Sequence, residues 1–427
     1  MVTVSCREDS DDIKSYAYED FLNFAESNSS LEGQFRAIWT AMNCNYPVWD
    51  YEEQQGINWD DIYDKYLPRF KELDVGYNLE KPVPDSLVSE LYDSIFAPLH
   101  DGHLRVYLKN IHTGKKIKKT ISPQVIRVVE SNADSIASLL ELDYLVSSFK
   151  PTLKYYDDNE GLIEFIEEQE YIFACFKDGI VYFRLPIFRL TQAFKERSLD
   201  EGKERICKLW ESWFSCIQNL HALNSLRGVI IDVRNNPGGT QNDYQYVLGA
   251  LDKGDNEFGV MRHKVGYLRE KAGVGRLDFS WLQPLTLPIY ELEHASLEVP
   301  IIILANGLSM SMAEITCISA KLLKNGYVIG TKTYGAFSPS IDNSYAVTYS
   351  GNVGDPSLAD EEEKNSYYAP FFIDIPTSAF LSLDNQVVDG FGVEPNETVH
   401  LDRFEHKYLG KDNQLDRALE YIRNNNN

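Results

Sequence analysis

The length and composition of the chain indicate a globular protein. It has 427 residues, of which 43% are hydrophobic and 25% are charged. These fractions are close to globular averages and exclude a mainly disordered chain. The chain carries 41 Lys+Arg against 65 Asp+Glu, a net charge of −24. An acidic surface excludes sequence-independent binding to nucleic acid, which requires basic residues. The length fits two or three domains, or one large domain with an appendage.

Membrane-spanning and metal-binding signals are not found in the sequence. No apolar run reaches the roughly 18 residues that a spanning helix requires. The six Cys include no Cys-x-x-Cys pair, and the eight His are scattered without a His-Glu-x-x-His motif. We therefore expect no metal and no cofactor.

The amino terminus carries a distinctive short pattern. A small residue precedes Cys6, and an acidic polar run follows it. This pattern resembles the mature start of a bacterial surface lipoprotein, and it predicts a lipid anchor at Cys6 and a place in the bacterial cell envelope. The alternative is a disordered cytoplasmic leader.

Hydrophobic periodicity divides the chain into three parts. Residues 1–18 are predicted to be a disordered leader, and residues 19–100 an N-terminal helical domain. Its three helices begin near Ser29, Trp59 and Ser86, and Pro68 is expected to kink or end the second. Residues 101–427 are predicted to form an α/β domain with a frayed carboxyl-terminal tail.

Strands and helices alternate along the predicted α/β domain. A β-hairpin is expected around Lys177-Asp178-Gly179. Apolar strands are expected over 229–231, 299–304 and 327–329, with helices over 244–251 and 313–323. Asp412 is expected to cap the last helix. This alternation predicts an α/β fold.

Two segments follow predicted buried strands and contain residues suited to catalysis. In the first, Asn306 to Glu314, a small-residue loop leads into a helix, whose first N–H groups could face a developing oxyanion. The alternative is an ordinary Ser cap. The second, Gly228 to Gly239, ends in two glycines, which let a backbone approach a ligand closely. The alternative is a simple turn between strand and helix.

Five segments together resemble the C-terminal processing (tail-specific) protease family. They are Asp232 to Gly239, Ser309-x-Ser311-x-x-Glu314, Gly330 to Gly335, Ala97 to Leu104 and Gly390 to Pro395. The resemblance implies a ClpP/crotonase-like α/β core over roughly residues 30–405. It also implies that Ser311, three residues before Glu314, is the nucleophile, and not Ser309. Met312 and a glycine of the pair Gly238 and Gly239 would supply the oxyanion hole.

The sequence departs from that family at the general base. The processing proteases carry Lys after the Gly of the Thr-Tyr-Gly motif, where this chain has Ala336. The tricorn protease core, which the sequence resembles in this respect, uses a His from the upstream motif. His103 occupies the matching place, and Asp389 matches the acidic partner. Lys332 as the base and Glu394 as the acid are further alternatives.

Structural roles are possible for the same residues. His103 could be a hydrogen-bonded core histidine, and Asp389 could serve only the turn that an Asp-Gly pair favours.

Taken together, the motifs predict a serine endopeptidase that acts on protein or peptide substrates. The alternative is a catalytically inactive homologue that binds peptides or apolar ligands, as interphotoreceptor retinoid-binding repeats do.

Overall fold

The structure is a computed structural model. It describes residues 30–77, 80–101, 104–118, 159–166, 169–252, 257–263, 283–286, 297–337, 346–350, 371–376, 378–383 and 390–425. The predicted leader over residues 1–18 and its Cys6 lie outside these ranges. The lipid anchor and the envelope location therefore stay predictions.

Helices and strands are numbered here in chain order. The helices are α1 (Leu31–Asn45), α2 (Trp49–Gln54), α3 (Trp59–Gly76), α4 (Asp85–Phe96), α5 (Leu190–Glu196), α6 (Glu201–Ala222), α7 (Met312–Leu322) and α8 (Asn413–Asn424). The strands are β1 (Arg105–Lys109), β2 (Lys116–Lys118), β3 (Asn159–Ile166), β4 (Gln169–Phe176), β5 (Ile180–Arg184), β6 (Gly228–Asp232), β7 (Glu257–His263), β8 (Gln283–Thr286), β9 (Ile301–Ala305), β10 (Gly326–Gly330), β11 (Ala346–Ser350), β12 (Phe371–Pro376), β13 (Ser378–Leu381) and β14 (Glu397–Thr398).

The chain forms two compact units, each built from three separate stretches. The first unit contains residues 1–126, 260–283 and 338–389. The second contains residues 127–259, 284–337 and 390–427. The predicted boundaries at residues 18 and 100 stay predictions.

The helices of the first unit begin and end largely as their sequences indicate. Ser30 caps α1, and its side chain accepts a hydrogen bond from the N–H of Gly33. The expected end of the helix at Pro68 is wrong, because α3 continues through this residue to Gly76. A kink at Pro68 stays a prediction.

Aromatic side chains dominate the core of the first unit. The indole N–H of Trp39 donates to the carbonyl of Trp59, and that of Trp59 donates to the carbonyl of Trp39. Phe35 stacks on Phe70 with ring centroids 4.7 Å apart. These rings bury large apolar areas, and both indole donors are satisfied, so the helices pack without a polar penalty.

Antiparallel strands also belong to the first unit, where β11, β12, β1 and β2 form one sheet in this order. A separate three-stranded sheet has the order β13-β7-β8, in which β13 and β7 pair antiparallel. Val106 of β1 is paired with Ile373 of β12, and both side chains are buried.

The second unit is organised around a seven-stranded sheet in the order β14-β10-β9-β6-β5-β4-β3. Strands β5, β6, β9, β10 and β14 run parallel to one another, whereas β4 pairs antiparallel with both β5 and β3. The predicted hairpin is confirmed, since β4 and β5 pair across the turn in which Gly179 has a φ of 81°. All residues of β6 and β9 are buried, as a parallel sheet with both faces covered requires.

Helices cover the central strands of this sheet. Leu415, Leu419 and Ile422 of α8 join a core cluster with residues of β6, β9 and β10. The expected Asp412 cap is confirmed, because its carboxylate accepts from the N–H groups of Gln414 and Leu415. The helix expected over 244–251 is wrong. That segment has a short 3-10 helix, Gln241–Tyr246, followed by turns.

The α/β fold class is confirmed, with a helical N-terminal region and a central mixed sheet. Within the described ranges, no helix has the length and apolar character needed to cross a membrane.

Candidate active site

Three loops of the second unit leave the same edge of its sheet. Strands β6, β9 and β10 are parallel neighbours, so the loops after Asp232, Ala305 and Gly330 all begin at their carboxyl ends. This edge is where α/β sheets place their ligand sites.

Ser311 lies at the end of the middle loop, directly before α7. Its φ is 52° and its ψ is −116°, a backbone conformation that non-glycine residues rarely adopt. Such strain persists only where the surroundings enforce it, and it is concentrated at functional sites. Ser311 is also partly exposed. It is the N-cap of α7 and forms a capping box with Glu314.

Ser309 has a different environment. Its side chain is fully buried. The hydroxyl donates to the Val233 carbonyl at 2.8 Å and accepts from the Asn306 N–H at 3.0 Å. These bonds tie the loop after β9 to the loop after β6, so Ser309 holds the two loops together.

Gly238 packs directly against Ser311. Its φ is 99°, and a Cβ atom at this position would lie 2.6 Å from the Cβ of Ser311 and 3.0 Å from the Met312 nitrogen. Any larger residue would collide with the serine turn. The glycine pair thus allows one loop to approach the other closely.

Two backbone N–H groups of this region, those of Gly239 and Met312, have no acceptor among the described residues. Their neighbours differ in this respect. The Gly238 N–H donates to Asn236 Oδ1 at 2.7 Å, and the Ser311 N–H donates to the Ala336 carbonyl at 3.0 Å. Met312 is the first residue of α7, where helix geometry leaves the N–H groups without internal acceptors.

Glu314 connects the serine turn to the loop after β10. Its buried carboxylate accepts hydrogen bonds from the N–H groups of Ser311, Gly335 and Ala336 and from the Thr333 hydroxyl, at 2.6 to 3.0 Å. Burial raises the pKa of Glu314 to about 7, although these four hydrogen bonds act in the opposite direction. The sequence motif indicated this residue only as a landmark for the nucleophile, and its contacts were missed.

The loop after β10 also pairs with the segment that precedes β14. Thr333 and Val393 exchange hydrogen bonds, and the Gly390 N–H donates to the Gly335 carbonyl at 2.8 Å. Lys332 forms an ion pair with Glu394 at 2.9 Å, and both side chains are largely exposed. Lys332, the alternative base, and Glu394, the alternative acid, thus form an ion pair with each other at the surface.

A buried ion-pair network supports the loop after β6. The Arg234 guanidinium makes bidentate contacts with Asp232 and with Asp412, and it also donates to Gln414. Burial raises the pKa of Asp232, but the charges of Arg234 and Arg184 outweigh it and lower the pKa to about 2. The Asp232 carboxylate is therefore ionised at neutral pH, and the Arg234 guanidinium links this loop to α8 through Asp412.

His103 and Asp389 lie outside the described residues. Three residues before His103 in the sequence, His100 belongs to the first unit, and its Nδ1 lies 2.8 Å from Glu52 Oε2. The Leu104 N–H donates to Asp101 Oδ1 at 2.8 Å. In the part of the chain that the structure describes, no group of three or more His, Cys, Asp or Glu could hold a metal ion.

The profile of peptidase family S41 matches residues 180–399, slightly more than half of the 427 residues. The chain belongs to peptidase family S41. This matched region contains Gly239 and also Gly238, Ser311 and Met312, of which the last three lie close together in the structure. Membership in family S41 makes the protein a serine peptidase, a hydrolase whose substrates are proteins or peptides.

Solved structures share the fold of this S41 peptidase. A protein of Parabacteroides merdae proposed to be a peptidase is 18% identical, with a TM-score of 0.59 over 92% of this chain and 97% of its own. Mature CPAF in complex with lactacystin is 13% identical, with a TM-score of 0.57 over 94% of this chain and 100% of its own. No curated protein matches the sequence.

Proposed function

We propose that the protein is a serine endopeptidase whose nucleophile is Ser311. The observation that carries the proposal is the positive φ of this residue at the amino end of α7. A strained turn between a strand and a helix is the setting in which nucleophilic serines are found. Ser311 also forms a capping box with Glu314, so the strained backbone carries the proposal. The family assignment supports the same residue, and the two internal hydrogen bonds of Ser309 argue against the other serine.

The N–H groups of Gly239 and Met312 are proposed to form the oxyanion hole. Attack of Ser311 Oγ on the peptide carbonyl places a negative charge on the carbonyl oxygen. Two preorganised backbone donors stabilise that charge without further reorganisation. Gly238 contributes through its missing side chain, because its own N–H already donates to Asn236.

The general base is proposed to be His103, oriented by Asp389. These two assignments rest on sequence motifs alone. The imidazole takes the hydroxyl proton as Ser311 attacks and returns it to the leaving amine, and water then hydrolyses the acyl-enzyme with the same base. A Lys base at the position usual in the family is excluded, since Ala336 occupies it and is fully buried.

The proposal is tested by covalent labelling and substitution. A fluorophosphonate probe should label the full chain at Ser311, and mass spectrometry of the digested protein identifies the residue. Ser311→Ala should lose labelling and, on an unfolded protein substrate, about 10⁴-fold or more of the activity. Ser309→Ala is the matched control. Equal activity of the two variants would exclude Ser311 as the nucleophile.

A further inference from the structure

The four hydrogen bonds of Glu314 saturate its carboxylate. Oε1 accepts from the Thr333 hydroxyl at 2.6 Å and from the Gly335 N–H at 2.7 Å. Oε2 accepts from the Ala336 N–H at 2.8 Å and from the Ser311 N–H at 3.0 Å. A carboxylate has about four lone-pair positions, so these donors occupy all of them while the group is ionised. Glu314 therefore serves as an acceptor for the donors that surround Ser311.

The same contacts restrain the nucleophile directly. The Ser311 N–H lies between two acceptors, Glu314 Oε2 and the Ala336 carbonyl, each 3.0 Å away. The Ala336 N–H in turn donates to Glu314, so three residues form a closed set of hydrogen bonds. A serine held at a φ of 52° would relax to a common conformation without such a restraint. Relaxation would move its hydroxyl relative to the donors of Met312 and Gly239.

We propose that Glu314 is a positioning residue, whose buried carboxylate holds the Ser311 backbone in the conformation that presents the hydroxyl to substrate. The inference rests on the proposed role of Ser311 as nucleophile. A charged acceptor binds backbone N–H groups more strongly than a neutral one. Its position in the first turn of α7 also favours a negative charge there.

The test compares Glu314→Gln with the wild-type full chain. The amide keeps the size of the side chain but replaces one acceptor oxygen with a donor, so at least one backbone N–H loses its partner. Displacement of a reacting group by about 1 Å can cost about 100-fold in rate. We expect kcat and the rate of fluorophosphonate labelling at Ser311 to fall about 100-fold while KM changes little. Final labelling should still reach one probe per chain, whereas a variant that merely unfolds would be labelled incompletely.

Glu420→Gln is the matched control, because Glu420 is exposed and pairs with Arg417 at the surface of α8. It should keep the wild-type rates. A Glu314→Gln variant with wild-type kcat and labelling rate would overturn the positioning role and leave the function of Ser311 intact. A wild-type protein that the probe does not label at Ser311 would overturn the proposed function itself.

A second pair of variants decides the question if Glu314→Gln does not fold. Thr333→Val removes one donor to the carboxylate, and Thr333→Ser retains it. We expect slower labelling at Ser311 in the Val variant and a rate close to wild type in the Ser variant. Equal labelling rates in Thr333→Val and the wild type would overturn the inference.

Discussion

The backbone N–H of Ser311 donates to the carbonyl of Ala336 across 3.0 Å. The position where the processing proteases carry Lys therefore lies beside the proposed nucleophile, but in this protein it bears a buried methyl group. The hydrogen bond between the two backbones is present, but Ala336 has no side chain that could accept the proton of the Ser311 hydroxyl. The proposed base must come from elsewhere in the chain, which is why His103 is the residue to test.

Activity should depend on pH through that histidine. A His base acts when neutral, so activity should rise with pH around its unperturbed pKa of about 6.5. His103→Ala should nearly eliminate turnover, and Asp389→Asn should cost less, because an orienting carboxylate does not carry the proton. Lys332→Ala should keep wild-type activity, since that side chain is exposed and paired with Glu394. Initial rates between pH 5 and 9 for the four proteins provide the measurement. Full activity in His103→Ala would contradict the assignment.

Gly238→Ala should abolish activity. The added Cβ would meet the Ser311 Cβ at 2.6 Å, and the positive φ adds strain of about 1–3 kcal/mol. Gly56→Ala is the matched control, because its φ is also positive, at 85°, but nothing lies within 4 Å of the new atom. Urea unfolding should show a lower free energy of unfolding in both variants. Fluorophosphonate labelling should be lost only in Gly238→Ala. Normal labelling of Gly238→Ala would show that the close approach is not needed.

Asp412→Ala should destabilise the protein strongly. It leaves the Arg234 guanidinium, which is fully buried, with one carboxylate partner instead of two, and it removes the α8 cap. Breaking a buried ion pair typically lowers the free energy of unfolding by about 3–5 kcal/mol.

The control for this variant lies on the same helix. Arg423 pairs with Asp178 at the surface, and exposed pairs contribute about 0–1 kcal/mol. Arg423→Ala should therefore change the free energy of unfolding little. Urea unfolding measures the free energy of unfolding of both variants. Comparable decreases in Asp412→Ala and Arg423→Ala would show that the buried network stabilises the protein no more than the surface pair does.

The stability of the protein should carry a pH dependence due to Glu314. Burial raises its pKa from the ordinary 4.5 to about 7, so the native state binds more protons than the unfolded state between these values. The corresponding stabilisation is complete below about pH 4.5 and is lost as pH rises through 7. The pKa difference corresponds to about 3 kcal/mol.

Glu314→Gln removes this titration. The wild type should therefore lose more of its free energy of unfolding between pH 5 and pH 8 than the variant does. Urea unfolding at the two pH values measures the difference. An equal loss in both proteins would mean that Glu314 titrates near its ordinary pKa.

Much of the local structure followed from the sequence by itself. The hairpin at Gly179, the buried strands β6 and β9 and the Asp412 cap are confirmed, because each depends on residues close together in the chain. The same local patterns failed at Pro68, where the helix continues instead of ending. They also failed after Gly239, where apolar spacing suggested a helix but turns formed.

Only the tertiary structure decided what surrounds the nucleophile. The sequence motif selected Ser311 over Ser309, and folding showed the physical difference, a strained partly exposed turn against a buried, doubly bonded hydroxyl. The role of Glu314 depends on partners 19 to 22 residues away. Parallel pairing of β9 with β10 brings those partners to the first turn of α7. Hydrophobic periodicity predicts whether a residue lies on the buried or the exposed face of a helix or strand. It does not predict which distant loop supplies the hydrogen-bond partners of that residue.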